Sequence, residues 1–525
     1  MSRQLYSLPV SAAPARWAAY LALNAGFVIL AALACALGGP ANPRLIYLIS
    51  MFALCSHPLI DLDRLNGHLA LLAMFMFVYF VSYGALDFTD LFAGNSRSDK
   101  GVFDETEAVI VVGGLAWVIA YRLSVSWVQR TPAMLPPRDW RPGTVVAAGL
   151  VLWAIGTFAV YTWSVYIVPD TTNDAVRLGL ARIGTLQASA NILGQMLQPL
   201  GLLLLAYAMY AFRSRYLLPV VVTVVLLQVA LGFVVDIKGM AMLGGILVII
   251  TCVLVTGRLP KTWLAAGVAF VIFVFPIFTA YRTAIHGDLG LARTAVIANF
   301  SKVLRLSIAA EDRVNTGHDR AQTFLERATV KGSTEMIVER TGNGVGFQAG
   351  HTLTPILTAF LPRILWSDKP DIPTGQLVNK EFHLSESTDV YISPSHLGEL
   401  YWNFGWPGVL LGMASIGFIC GYIGTRCNMS VAPTVTRLLV LVVTIKQLIV
   451  SFEGALGSSY VVWLRSLAAV AVLHVLFAQA AASWRQYPQR KAAGGGAGSG
   501  ITSGDAAAAE EVSETNRRPF PNLLT

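Results

Sequence analysis

Charge and cysteine are what this 525-residue chain has least of. Only 13% of its residues are Asp, Glu, Lys or Arg and 55% are hydrophobic, with a mean hydropathy of +0.60. Soluble proteins carry about twice that charged fraction, so a water-facing enzyme body is excluded. The five cysteines, Cys35, Cys55, Cys252, Cys420 and Cys427, fall in or beside apolar runs, without a CxxC pair or zinc-type spacing. A disulfide framework and a structural zinc are therefore not expected. The chain has no Gly-rich phosphate loop, Walker sequence or Ser-His-Asp order, which argues against nucleotide-driven chemistry. Neither a metal nor an organic cofactor is expected. The net charge of +8 comes from scattered Lys and Arg without interleaved aromatics, so no nucleic-acid partner is expected.

Long apolar runs are what is present. Crossing a bilayer takes about 20 apolar residues per helix, and twelve runs read as spans, near 17–37, 45–60, 68–86, 108–127, 144–167, 191–212, 216–235, 239–257, 262–281, 407–424, 432–451 and 460–480. The expected fold class is all-α, a polytopic membrane protein of about 12 transmembrane helices with one large extracytoplasmic loop. Residues 1–281 hold helices 1 to 9, 282–406 the loop, and 407–480 helices 10 to 12. Residues 481–525, with AAGGGAGSG and an acidic, Ala-rich continuation, read as a disordered cytoplasmic tail. The first apolar run reads as a full span behind a positive flank, not as a cleavable signal.

Basic residues set the orientation, because Lys and Arg gather in cytoplasmic loops. Arg3 and Arg16, then Arg122, Arg130, Arg138 and Arg141, then Arg213 and Arg215, Arg258 and Lys261, Arg426, and finally Arg485, Arg490 and Lys491 all fall on one side. Both termini are then cytoplasmic. The opposite side receives Asp87, Asp90, Asp99, Asp104, Glu105 and Glu107, the segment with Asp170 and Asp174, and the 282–406 stretch.

That stretch holds five of the eight histidines and has too little apolar content to fold alone, so it must lean on the membrane. Residues 292–311 and 319–340 have roughly helical spacing. HTLTPILTAFLP at 351–362 reads as a short helix dipping into the outer interface. Pro370 and Pro373 break regular structure, so Trp366 to Ser395 is expected to be an irregular loop over the bundle.

FLPRILWSDKP and SHLGELYWNFGWPGVLLGMASIGFICG resemble the segment of Wzy-type O-antigen and exopolysaccharide polymerases in which a large periplasmic loop ends in a Gly-Glu, aromatic, Asn-Phe-Gly run entering the next helix. DIKGM at 236–240 and Tyr281-Arg282 are similar to the family as well. The resemblance implies a multi-pass protein of the bacterial inner membrane that polymerises oligosaccharide repeat units linked to undecaprenyl pyrophosphate, with membrane lipids, a chain-length regulator and a flippase as partners. It places Tyr401 and Asn403 of the aromatic run at the substrate. An O-antigen ligase, passing lipid-linked glycan to lipid A core, and a polysaccharide transporter or flippase are the alternatives.

The chemistry can be argued separately. A leaving pyrophosphate develops negative charge, which fixed cations stabilise, and Arg bonds phosphate oxygens through its planar fork. Arg282, Arg363 and Lys238 are candidates, each where a helix should meet the outer interface, and Arg177 with Arg182 forms a second basic cluster. The plain alternatives are headgroup snorkelling, an Asp236–Lys238 turn pair and the capping of a short helix. The acceptor hydroxyl must lose a proton, for which Glu399, His396 and, in reserve, His351 are candidates. Glu399 could equally serve a helix dipole, and Asp371 reads as a turn residue. Tyr401, Trp402, Phe404 and Trp406 read first as an interfacial aromatic belt, and second as a surface for sugar rings or the isoprenoid.

Overall fold

The computed structural model describes residues 13–38, 45–58, 69–93, 104–129, 138–162, 185–235, 238–257, 260–267, 329–359, 373–384, 391–429 and 433–480, with 269, 305, 361 and 366 singly. The chain divides into two compact units, Met1–Gln479 and Ala480–Thr525. The expected tail, 481–525, lies outside the described residues.

The regular secondary structure of the described residues is helical apart from two two-residue strands, Arg138–Asp139 and Gln479–Ala480. The first helices are α1 (Ala13–Gly38), α2 (Leu45–Ser56), α3 (Leu69–Tyr83), α4 (Ala85–Ala93) and α5 (Glu105–Gln129). Next come α6 (Pro142–Thr162), α7 (Thr185–Ala211), α8 (Leu217–Val235) and α9 (Lys238–Thr256). The loop contributes α10 (Lys331–Arg340), α11 (Thr354–Leu357) and α12 (Thr374–Phe382). The last group is α13 (Ser395–Arg426), α14 (Val435–Thr444) and α15 (Leu456–Phe477). Among the described residues, six helical stretches are long and apolar enough to cross a membrane: Glu105–Val128, Pro142–Thr162, Gly239–Thr256, Ser395–Arg426, Val435–Glu453 and Leu456–Phe477. Shorter apolar helices cover the first, second, third and seventh of the runs read from the sequence. The ninth run, 262–281, lies mostly outside the described residues.

Helices meet where small residues let backbones approach, the usual device where lipid removes the hydrophobic drive for association. On α13, Gly417 sits on the Trp117 carbonyl of α5, and a Cβ on Gly421 would lie 2.6 Å from the Tyr121 carbonyl. In the α6–α7 pair, Gly149 and Gly156 face Gly201 and Gly194, seven residues apart on each helix. A Cβ on Gly201 would lie 2.6 Å from the Gly149 carbonyl.

Two expectations for the loop are corrected. The Trp366–Ser395 region is not wholly irregular, because α12 runs through it, starting just after Pro373 and burying Val378 and Phe382. Nor does the tenth helix begin at 407, since α13 is already helical at Ser395. Gly405, at φ 61° and ψ −145°, interrupts it. Only glycine adopts that conformation at little cost, and Pro407 follows two residues later, so the Gly-Trp-Pro run bends the helix without ending it.

One ion cluster fastens the loop to the bundle. Lys331, the first residue of α10, places Nζ 2.7 Å from Asp87 Oδ2 on α4 and 3.0 Å from Glu107 Oε1 on α5. The ammonium also lies 4.2 Å from the centre of the Tyr47 ring on α2. All three charged side chains are buried. A charge in such surroundings is tolerated only when paired, and the Thr329 hydroxyl and Val330 N–H both donate to the Ser82 carbonyl of α3 beside it. Leaving a buried charge without its partner costs about 3–5 kcal/mol. Lys331→Met is therefore expected to lower unfolding free energy in detergent by about that amount, and Asp87→Asn/Glu107→Gln/Lys331→Met to recover most of it. Equal stability of wild type and Lys331→Met in a denaturation titration would remove the cluster from its anchoring role.

Candidate functional site

The first three turns of α13 carry most of the residues singled out from the loop. They pack between α3, α5, α10, the turn His351–Leu353, and the start of α15. Ser395 opens the helix: its hydroxyl accepts from Gly398 N–H at 3.0 Å and from Tyr83 Oη at 2.9 Å, and lies 3.0 Å from Thr334 Oγ1. This hydroxyl cluster holds the helix start against α3 and α10, with no cysteine involved.

Glu399 and His396 lie one turn apart on α13, and both are fully buried. Glu399 Oε2 accepts from Leu456 N–H at 2.5 Å and Gly457 N–H at 3.4 Å. Those are the first amides of α15, which have no acceptor inside their own helix and sit at the positive end of its dipole. Glu399 thus clamps α13 to the start of α15, which is the helix-dipole reading of this residue, realised on a different helix from its own. His396 makes an edge-to-face contact with Phe452, 5.0 Å between ring centres. Phe452 in turn meets Phe75, Tyr79 and Tyr83 edge-on. Neither ring nitrogen of His396 has a hydrogen-bond partner among the described residues, an uncommon condition for a buried polar group.

Asn403 joins the loop to this helix. Its Nδ2 donates to the Glu399 carbonyl and to Thr352 Oγ1, both at 2.7 Å, and its Oδ1 accepts from Gly350 N–H at 2.9 Å. His351, between those two loop residues, is exposed. Tyr391 lies against Gly375, and its hydroxyl is pushed above the ordinary tyrosine range by partial burial and by the Glu399 carboxylate.

From Thr352 the chain runs down the side of α15. A Cβ on Gly457 would lie 2.5 Å from the Thr352 carbonyl, and Arg465 Nε donates to the Ala359 carbonyl at 3.2 Å. Residues 457 and 465 are eight apart on the helix, about 12 Å along its axis. Of the segment 351–362, expected as a short helix dipping into the outer interface, the turn His351–Leu353 and α11 are helical and lie along α15. Leu357 is 85% exposed there, which suits a side chain facing lipid.

The aromatic belt is corrected in part. Trp402 is fully buried, packed edge-on to Phe382 at 5.3 Å. Tyr401 Oη and Trp406 Nε1 both donate to Glu105 Oε1, at 2.8 and 3.1 Å, so they fix α13 to the start of α5. Phe404 alone of the four is exposed. Their hydrogen-bonding ends met a carboxylate that local sequence does not place near them.

Arg282, Arg363, Arg177, Arg182 and Asp371 lie outside the described residues, and Lys238 is described only as the first residue of α9. Two cations that the loop-centred reading passed over are Arg465, the tenth residue of α15, and Lys446, inside a π-helical turn at Ile445–Ile449. The signal was available: each interrupts an apolar run of spanning length, and an ionisable residue inside such a run marks function by default. Trp463 Nε1 donates to Thr444 Oγ1 at 3.1 Å, tying the two runs together. No group of three His, Cys, Asp or Glu suited to a metal occurs among the described residues; Asp61 and Asp63, an Asp-x-Asp pair, lie outside them.

The clamp is testable. Glu399→Ala leaves two buried amides without an acceptor, at about 1–3 kcal/mol for the lost partner, whereas Glu399→Gln keeps a carbonyl oxygen and is expected to lose less. Thermal unfolding of the two variants in one detergent should rank them in that order, and the reverse order would exclude the clamp. Comparison of the chain with protein-family models, with curated proteins and with solved structures finds no match, so the reading of this site rests on its own residues.

Proposed function

We propose that the chain is a twelve-span membrane glycosyltransferase of the bacterial inner membrane that polymerises lipid-linked oligosaccharide repeat units at the periplasmic face, with both termini cytoplasmic. The observation that carries this reading is the descending segment 352–359 against α15, with Arg465 at its foot and the Glu399–His396 turn at its head. A polyprenyl-pyrophosphate donor sets its phosphates at the membrane boundary and its reacting sugar just outside. It therefore needs a cation slightly inside the apolar zone and polar groups above it, in that order.

In the proposed reaction the acceptor hydroxyl oxygen attacks the anomeric carbon, the bond from that carbon to the phosphate oxygen breaks, and the pyrophosphate leaves on its lipid with the electron pair. Arg465 supplies positive charge for the leaving group, with Lys446 in the neighbouring span and Arg282, Arg363, Lys238, Arg177 and Arg182 as the further proposed cations. His396, with both ring nitrogens unpartnered, is assigned the hydroxyl proton. Glu399, already committed to two amides, acts as a positioning residue. His396 is closed off in this conformation, so the proposal requires donor binding to open the seam around it. Asn403 and Tyr401 hold the loop and α13 in register for that opening.

Purified protein in lipid nanodiscs, given lipid-linked repeat units and no nucleotide, is expected to produce a ladder of longer glycans. Arg465→Ala should lower the rate by about 100-fold, the usual loss when one charge-stabilising donor is removed, and Arg282→Ala, Arg363→Ala and His396→Ala should abolish the ladder while the protein stays inserted. Wild-type ladders from all four variants would end this assignment. Single transfer of preassembled glycan onto lipid A core would make the protein a ligase, and movement of the lipid across the bilayer without a new glycosidic bond would make it a flippase.

A further inference from the structure

At Gly405, α13 folds back on itself. Leu397 before the bend and Val409 after it both lie against Gly113 of α5, where a Cβ would fall 2.6 Å from Leu397 Cδ1 and 3.2 Å from Val409 Cγ1. A straight helix would hold residues twelve apart at about 18 Å along its axis. Leu400 likewise meets both Gly408 and Gly412. The apex between the two limbs, Phe404 to Trp406, therefore stands beyond Gly113 toward the start of α5, and Tyr401 and Trp406 bond Glu105 there. Glu105 and Gly113 are eight residues apart, about 12 Å.

Two phenylalanine rings are set on this apex. The carbonyls of Trp402 and Asn403, at the end of the first limb, accept from Gln348 N–H at 3.0 Å and Ala349 N–H at 3.1 Å, which fastens the turn 342–350 to it. The tip of the Phe347 ring lies between Gly342 and Gly405, and the tip of the Phe404 ring lies against Gly350. Those glycines have φ of 84°, 61° and 90°, a region that side-chain-bearing residues enter only at a cost. Each ring is thus held at its edge by glycine backbone, yet Phe347 is 52% and Phe404 46% exposed. Around Phe347 the exposed residues are Gly342, Asn343, Gly344, Gly346 and Ala349, none of them a large apolar group. Glu105 is exposed at the same apex. Both hydrogen bonds from α13 fall on its Oε1, so among the described residues Oε2 is an open acceptor.

We infer that Phe347 and Phe404 are a platform on which sugar rings of a lipid-linked glycan stack, with Glu105 accepting from their hydroxyls. The electron-rich face of an aromatic ring attracts the C–H hydrogens on the apolar face of a sugar, while the hydroxyls at the sugar's rim need an acceptor. Rings already fixed in place give contact area at low entropic cost. Placement selects the same occupant. His396 and Phe404 are eight residues apart on the first limb, about 12 Å, so a glycan with its reacting end near His396 extends outward over the apex. An acyl or isoprenoid chain would need a continuous apolar wall, and the Gly- and Asn-bearing turn beside an acidic helix start supplies none.

This inference rests on the proposed function only in taking a lipid-linked glycan as the substrate. The test is saturation-transfer NMR of the full-length chain in nanodiscs, with the host's repeat-unit oligosaccharide released from its carrier lipid as the probe. Wild type is expected to saturate the sugar C–H protons. Phe347→Leu and Phe404→Leu, which keep an apolar side chain and remove the ring, should each weaken binding by about tenfold, the size of one lost stacking contact, and Phe404→Tyr should bind as wild type does. No signal above that of protein-free discs, or undiminished binding by both leucine variants, would overturn the platform. A nitroxide on Phe347→Cys, in a chain without its native cysteines, should be relaxed by a water-soluble nickel chelate and little by oxygen dissolved in the bilayer; the reverse would make the rings membrane anchors and end the inference. Because no turnover is measured, binding without a ladder keeps the platform and removes the polymerase reading, whereas a ladder without binding does the opposite.

Discussion

Lys331 is the residue on which the arrangement of this protein turns. It belongs to the long polar stretch, yet its ammonium is buried between carboxylates of α4 and α5 and the face of Tyr47. An ammonium drawn out of water is costly unless its partners are well placed, so the cluster tolerates few positions for α10. Once α10 is fixed, Thr334 meets Ser395 and Tyr83, and the start of α13 is set against α3. A loop without cysteine acquires a defined position through one ion cluster and a short run of hydroxyls.

α13 then carries that order into the apolar part of the protein. It begins among loop residues, bends at Gly405, and continues along α5 through glycines that leave no room for a side chain. Glu399, on its first section, bonds the amides that open α15, while Asn403 bonds the loop at Gly350 and Thr352. Three segments far apart in sequence are held together by two polar side chains. The proposed chemistry needs such a junction, because a lipid-linked donor presents its phosphate and its sugar at different depths, and a single helix cannot address both.

The two ends of the bundle differ in a way that follows from their charges. On the loop side, acidic residues at the starts of α4 and α5 are neutralised by a lysine from the loop or bonded by tyrosine and tryptophan from α13. On the basic side, Arg122 meets a histidine at the head of an open groove.

Periodicity and composition by themselves determined that the chain is helical and apolar enough for a membrane, because a helix of spanning length has to be written as a continuous run of about 20 apolar residues. They also pointed to Glu399, His396 and Asn403 as residues in one place, since neighbours on a helix are neighbours in sequence. They could not show that Glu399 caps α15, that Trp402 is buried and not interfacial, or that Lys331 meets Asp87 and Glu107, 244 and 224 residues away. Each of those depends on which helices are adjacent. Adjacency is decided by glycine contacts, buried charges and aromatic stacking summed over the whole bundle, and no local pattern records it.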